Sequence, residues 1–160
     1  MSSVLDAIQD VVRDAIAADS FFADAVAAGT VEVFSENEGD PDARIDEALA
    51  RLGLYILVRI GKARCNNPNL RGVVLDRIEI PVECGENVLL NRAEGGSGIT
   101  ALEAAERVLT ICHFQLAVAG KAIVAAEDAI APAIPPRGAS CAYNAGLRTQ
   151  DGIKLSEQQT

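Results

Sequence analysis

The chain has 160 residues and carries 23 acidic against 14 basic side chains, a formal charge of −9 that repels polyphosphates and argues against tight non-specific nucleic-acid binding. Hydrophobic residues make up 49% of it and aromatics only 4%, which predicts one domain whose core is built mainly from Ala, Val, Ile and Leu. No apolar run approaches the roughly 18–20 residues of a membrane span, and the acidic start MSSVLDAIQD lacks a basic region ahead of a hydrophobic one, so a soluble protein made in the cytoplasm is expected.

Along the chain, Val4, Leu5, Ile8, Val11, Val12, Ala15 and Ile16 recur at helical spacing and predict a helix over 4–17. Phe21, Phe22 and Val26 extend the apolar surface through a short turn or helix that Gly29 stops. Residues 31–34 read as a short strand. Asp40 followed by Pro41 is a helix start, with the aspartate as N-cap and the proline at the first helical position. Ile45, Ala48, Leu49 and Leu52 then give the buried stripe, and Gly53 the stop. The acidic run Glu36, Glu38, Asp40, Asp42 lacks the spacing of a Ca²⁺ loop and reads as a solvated, helix-dipole-stabilising stretch.

Residues 54–60 are nearly all apolar, as in a strand covered on both faces. After a turn region at 66–72, Val74, Ile78, Ile80, Val82 and Cys84 alternate with Leu75, Arg77, Glu79, Pro81 and Glu83, so the two stretches form a long central hairpin. Pro81 lacks an amide donor, which puts that end of the strand at a sheet edge or bulge. Gly95, Gly96, Ser97 and Gly98 end a loop over 87–98, and Thr100 with Glu103 makes a capping box for a helix through about residue 118, with Leu102, Ala105, Leu109, Cys112 and Leu116 as its stripe. Residues 122–126 read as a strand, 130–137 as a proline-broken stretch, 140–148 as a last strand and 150–160 as a polar carboxyl-terminal tail. The expected fold is α+β: a mostly antiparallel or mixed sheet of four or five strands with three helices, one domain over 1–149.

Chemistry is sparse. Cys65, Cys84, Cys112 and Cys141 stand singly, without a CxxC pair, and read as ordinary thiols, with a Cys65–Cys84 disulfide across the hairpin as the one pairing to consider. His113 follows Cys112 directly on a helix, where neighbours diverge by about 100° and do not share a substrate. The glycine loop lacks the GK[ST] of a P-loop. No catalytic residue, metal ligand or cofactor is expected. Arg59, Lys62, Arg64, Arg71 and Arg77 instead cluster on the hairpin of an acidic chain; with Pro81, Asn87 and Arg92 they are the candidate subunit or partner interface, the alternative being a solvated hairpin tip.

The order of elements, the stretch ENEGDPDARIDEALARLGLYILV, the long hairpin, and ENVLLNR ahead of TALEAAERVL together resemble the tail terminator and neck (tail-completion) proteins of tailed bacteriophages over roughly residues 4–145. The resemblance implies a virion protein assembled in the host cytoplasm: a homo-oligomeric ring, usually of six subunits, that caps the tail tube and offers a docking surface to the head connector, with DNA passing through its lumen without tight binding. The stretch 131–136 and the tail 150–160 fall outside it. Two other readings remain: a small-ligand-binding or enzymatic domain using the 94–103 loop, and an adaptor whose hairpin recruits a partner without closing a ring.

Overall fold

The computed structural model describes residues 3–65, 72–136 and 138–155. Its elements are helices α1 (Val4–Ala18) and α2 (Ser20–Ala27), strand β1 (Val31–Ser35), helix α3 (Pro41–Arg51), strands β2 (Leu54–Val58), β3 (Arg64–Cys65), β4 (Val74–Asp76) and β5 (Glu79–Glu86), helices α4 (Val88–Asn91) and α5 (Ala101–Cys112), and strands β6 (Ala117–Val118), β7 (Lys121–Pro132), β8 (Cys141–Thr149) and β9 (Ile153–Lys154). A 3-10 turn (Glu36–Glu38) follows β1. The α+β class is as expected, with more elements than anticipated: a mixed six-stranded sheet in the order β1-β2-β5-β8-β7-β6 and a small sheet in the order β3-β4-β9. β1 and β2 run parallel around α3, and the other neighbours are antiparallel.

Both faces of β2 are filled. Leu54, Ile56 and Val58 point into a core with Ile8, Val12 and Ile16 of α1, Phe22 of α2, Ile80, Val82 and Cys84 of β5, and Val108 of α5. Tyr55 and Leu57 point the other way, onto Phe34 and the Ile45, Ala48 and Leu49 stripe of α3. All five β2 side chains are buried, which is why the sequence there is a continuous apolar run. α3 begins as read, with the Asp40 carboxylate accepting from the amides of Asp42 and Ala43.

Several expectations need correction. α5 stops at Cys112, not near 118, because Phe114 takes a left-handed φ of 57° and turns the chain into β6. Its buried stripe is Ala101, Ala104, Ala105, Val108 and Cys112, and Leu102 is exposed; the small side chains let the helix lie close on β5 and β8. Thr100 caps the Glu103 amide at 3.1 Å. β7 runs on to Pro132, where a missing donor costs nothing, since past Ala125 β8 is its one partner among the described residues. Between Ala125 and Ile130 its register slips past Gly146, making a bulge. Pro81 lies at neither edge nor bulge of its own strand: β5 sits between β2 and β8, with Pro81 opposite Gly146. The segment expected to be tail supplies β9, whose Ile153 is buried beside β4.

Candidate functional site

The hairpin keeps one register from the core outward. Leu54 faces Glu86 and Val58 faces Val82 in the main sheet, and Arg64 faces Asp76 and Cys65 faces Leu75 in the small one. Between them the ladder loosens for an identifiable reason. The Arg59 amide donates to the Pro81 carbonyl at 3.0 Å, but proline has no amide to return the bond. The Gly61 amide reaches Glu79 O at 2.8 Å, and the Glu79 amide reaches Lys62 O at 2.9 Å. Arg77, at φ 49°, reverses the backbone so that the Ile78 amide turns inward to Thr149 Oγ1 at 3.1 Å. Residues 59–65, 74–79 and β9 thus form an arm that extends the hairpin beyond the main sheet.

The sequence-predicted residues divide along this arm. Lys62 and Arg64 are exposed on it, and Lys154 of β9 adds a third exposed cation. Arg59 lies at its base, 3.9 Å from Glu36 and 3.8 Å from Glu83. Arg77 and Pro81 line a cavity of about 300 Å³ at the arm's root. Arg71 lies outside the described residues. Asn87 and Arg92 sit elsewhere: the Asn87 side chain donates to Leu49 O at 3.1 Å, fastening the end of α3, and Arg92 pairs with Glu86 at 2.7 Å.

On the sheet face that α3 packs against, polar groups run in a chain outward from the α3 contact. Tyr55 donates its hydroxyl to Glu83 at 2.6 Å, and Glu36 accepts the Ile60 amide at 2.8 Å. Burial, and then the neighbouring Glu83 carboxylate, push the Tyr55 phenol well above its ordinary range. Gly85 makes room for that ring, since a Cβ there would lie 2.5 Å from Tyr55 Cζ. Further along, the cavity gathers Arg77, Glu79, Glu127, Asp128, Asn144 and Arg148. Arg148 pairs with Glu127 at 3.1 Å and donates to Thr149 O at 3.1 Å. Glu127 is held below the usual carboxylate range by its own amide and by Arg148. The signs are mixed, and the arrangement suits holding charged surface groups more than activating a nucleophile.

The glycine loop is filled by the protein itself. Glu86, fully buried, accepts from Asn91 Nδ2 at 2.7 Å, Arg92 Nη2 at 2.7 Å, the Ala101 amide at 3.2 Å and the Cys141 thiol at 3.4 Å. Burial pushes its carboxyl up, but the bonds from Arg92, Asn91, Ala101 and Cys141 outweigh it and hold the group below its ordinary value. Asn91 also takes the Gly98 amide on its carbonyl at 3.0 Å and the Ser97 hydroxyl on its side chain. A Cβ at Gly96 would meet Leu90 O at 2.6 Å. The start of α5, where an anion would dock, therefore already holds a carboxylate.

The acidic run is largely exposed, with Asp40 and Asp42 at the start of α3 as read, and its glutamates also make ion pairs. Glu38 bridges Arg13 of α1 and Arg44 of α3, the latter at 2.6 Å, while Arg44 also holds Glu32 of β1 at 2.6 Å. Among the described residues no group of three His, Cys, Asp or Glu side chains converges to hold a metal, and no helix is long and apolar enough to cross a membrane. Cys65 is exposed and Cys84 buried, each a free thiol, so the cross-hairpin disulfide is absent. Burial and the nearby Asp19 push the Cys112 thiol up to about 12, while His113 Nδ1 accepts the Ala125 amide at 2.8 Å; the two serve α5 and β7 separately. No protein-family model and no curated protein matches the chain.

Proposed function

We propose that this protein is a structural subunit of a tailed-bacteriophage virion, a ring-forming tail terminator that caps the tail tube and joins it to the head connector. The observation that carries the reading is the arm: an exposed, cationic extension with Lys62, Arg64 and, on β9, Lys154, on a chain of net charge −9. Such a feature serves contact with another subunit, since opposite charges on different surfaces favour head-to-tail association. The resemblance of the sequence to terminator and neck proteins supplies the partners: copies of itself, the tube protein and the connector. An acidic lumen would let DNA slide without adhering.

Against the competing ligand-binding reading, the glycine loop and the first turn of α5 are bonded to the protein's own Asn91 and Glu86. Negative-stain imaging of tail tubes mixed with the protein tests the proposal. Rings at one end of each tube, and tubes that stop growing when the protein is added, are expected. Bare tube ends and unrestrained growth at saturating protein would overturn it.

A further inference from the structure

Two stretches leave one side unpaired among the described residues: the outer side of the arm, ending at β3 of the small sheet, and part of β7 on the far side of the main sheet. On the β1 side, β1 covers β2 only as far as the Ser35 and Val58 pair, and the Glu36 carboxylate takes the Ile60 amide; from Gly61 through β3 the outer edge is free. On the far side, β6 covers β7 only at Lys121 and Ala122. The 113–118 segment reaches on to Ile123, and His113 to Ala125. Beyond that, the outer edge of 126–131 is free until Pro132 closes it.

The charges on these edges are opposite. The arm edge carries Lys62 and Arg64, both exposed, and the β7 edge carries Glu127 and Asp128, both exposed. Arm against arm, or β7 against β7, sets like charges face to face, so a two-fold pairing of either edge with itself is disfavoured. Only arm against β7 attracts. A contact between different surfaces of identical subunits is heterologous and generates a ring or a filament, not a closed dimer.

Strand direction agrees as well. From β2 to β5, β8 and β7 each step is antiparallel, so β3, which continues β2, runs opposite to β7 and would extend the same antiparallel sheet from copy to copy. The arm edge 62–65 is about 13 Å long at roughly 3.3 Å per residue, while the bulge shortens the β7 edge, since Ala125 to Ile130 spans only the step from Leu147 to Ala145, about 7 Å. Val58, Val82, Ala145 and Ile130 stand level across the sheet, which offsets the arm edge from the β7 edge by about five residues, roughly 17 Å. Over four strand spacings of about 4.8 Å, that offset corresponds to strands tilted by about 40°, within the 35–45° of closed β-barrels.

We infer that the 62–65 edge of one copy adds antiparallel to the 127–131 edge of the next, so that the sheets of neighbouring subunits join into one continuous wall. The inference rests on the ring proposed above and specifies how it closes. It deepens the role of Lys62 and Arg64 and brings in Glu127 and Asp128, which the sequence did not single out.

The test is a charge swap read by native mass and by electron microscopy, with thermal unfolding as the check on folding. Lys62→Glu with Arg64→Glu, and separately Glu127→Lys with Asp128→Lys, should each abolish assembly at concentrations where the unaltered chain is fully assembled. All four changes in one chain should restore it. Asp128→Lys alone, which keeps the Glu127–Arg148 pair, should weaken assembly at least tenfold and more so at low salt. If the unaltered chain forms rings that both reversals leave intact, this contact is wrong and the ring stands. If the reversals break the assembly and the swap restores it, but the product is an open filament, the contact stands and the closed ring falls. A chain that stays monomeric at about millimolar concentration and low salt overturns both.

Discussion

Replacing Glu86 with Gln removes the charge from the carboxylate that ties β5, α4, the glycine loop and α5 together. The variant keeps one acceptor oxygen and sets an NH₂ where the second stood, so either the Asn91 side-chain amide or the Ala101 amide, now at 2.7 and 3.2 Å from a carboxylate oxygen, faces a donor. An unpaired buried donor and the lost charge-strengthened bond cost about 2–4 kcal/mol together, while the half-exposed Arg92 contributes little. For a chain of this size that lowers Tm by roughly 5–15 °C. Urea unfolding should show the midpoint shifted with an unchanged slope. The pH dependence adds a second check. The folded carboxyl titrates below its ordinary value of 4.5, so its contribution is present in full above that pH and fades as pH falls through the folded value. The gap between Glu86 and the glutamine variant should therefore narrow below pH 4.5, by at most about 1.4 kcal/mol per pH unit. A difference under about 0.5 kcal/mol at pH 7, or one that stays constant to pH 3, would refute the assignment of Glu86 as an ionised anchor.

Four further outcomes are expected. Gly85→Ala should cost about 1–3 kcal/mol by pressing on the buried Tyr55 ring, and Tyr55→Val in the same chain should cancel part of that cost in a double-mutant cycle of urea midpoints. Gly146→Ala should shift the β7 bulge, because its Cβ would lie 2.6 Å from Asp128 O; amide exchange at 126–131 should quicken while α1 stays protected. Asp40→Ala should lower stability by about 1 kcal/mol in thermal unfolding, through loss of the α3 cap. Ala105→Leu should cost about 1–3 kcal/mol by the same measurement, since α5 rests on the sheet through its small residues.

Much of the fold was legible where one periodicity dominated. The stripe Ile8, Val12, Ile16 fixed α1, Asp40 with Pro41 fixed the start of α3, and the unbroken run at β2 announced burial on both faces. Legibility failed where tertiary context overrode local signals. Leu102 carries a core side chain to the surface because Ala101, Ala104 and Ala105 make the closer fit. Phe114 ends α5 in a left-handed turn that nothing in a helical pattern forecasts. Pro81 pointed to an edge by its missing amide, yet it sits in the interior strand β5, where it costs the ladder the return bond to Arg59. β9 is too short to show a period. Of the candidate surface, the basic residues of the arm could be read as a charge cluster. Glu127 and Asp128 could not, since only the bulge and strand order place them on an edge left unpaired among the described residues.

The central claim is that copies of this chain close into a ring, and the most direct measurement is native mass across a dilution series at low salt. The account predicts one dominant species at six times the chain's mass, falling to monomer without a stable dimer between. A monomer throughout, or a dimer that persists as the hexamer dissociates, would contradict it.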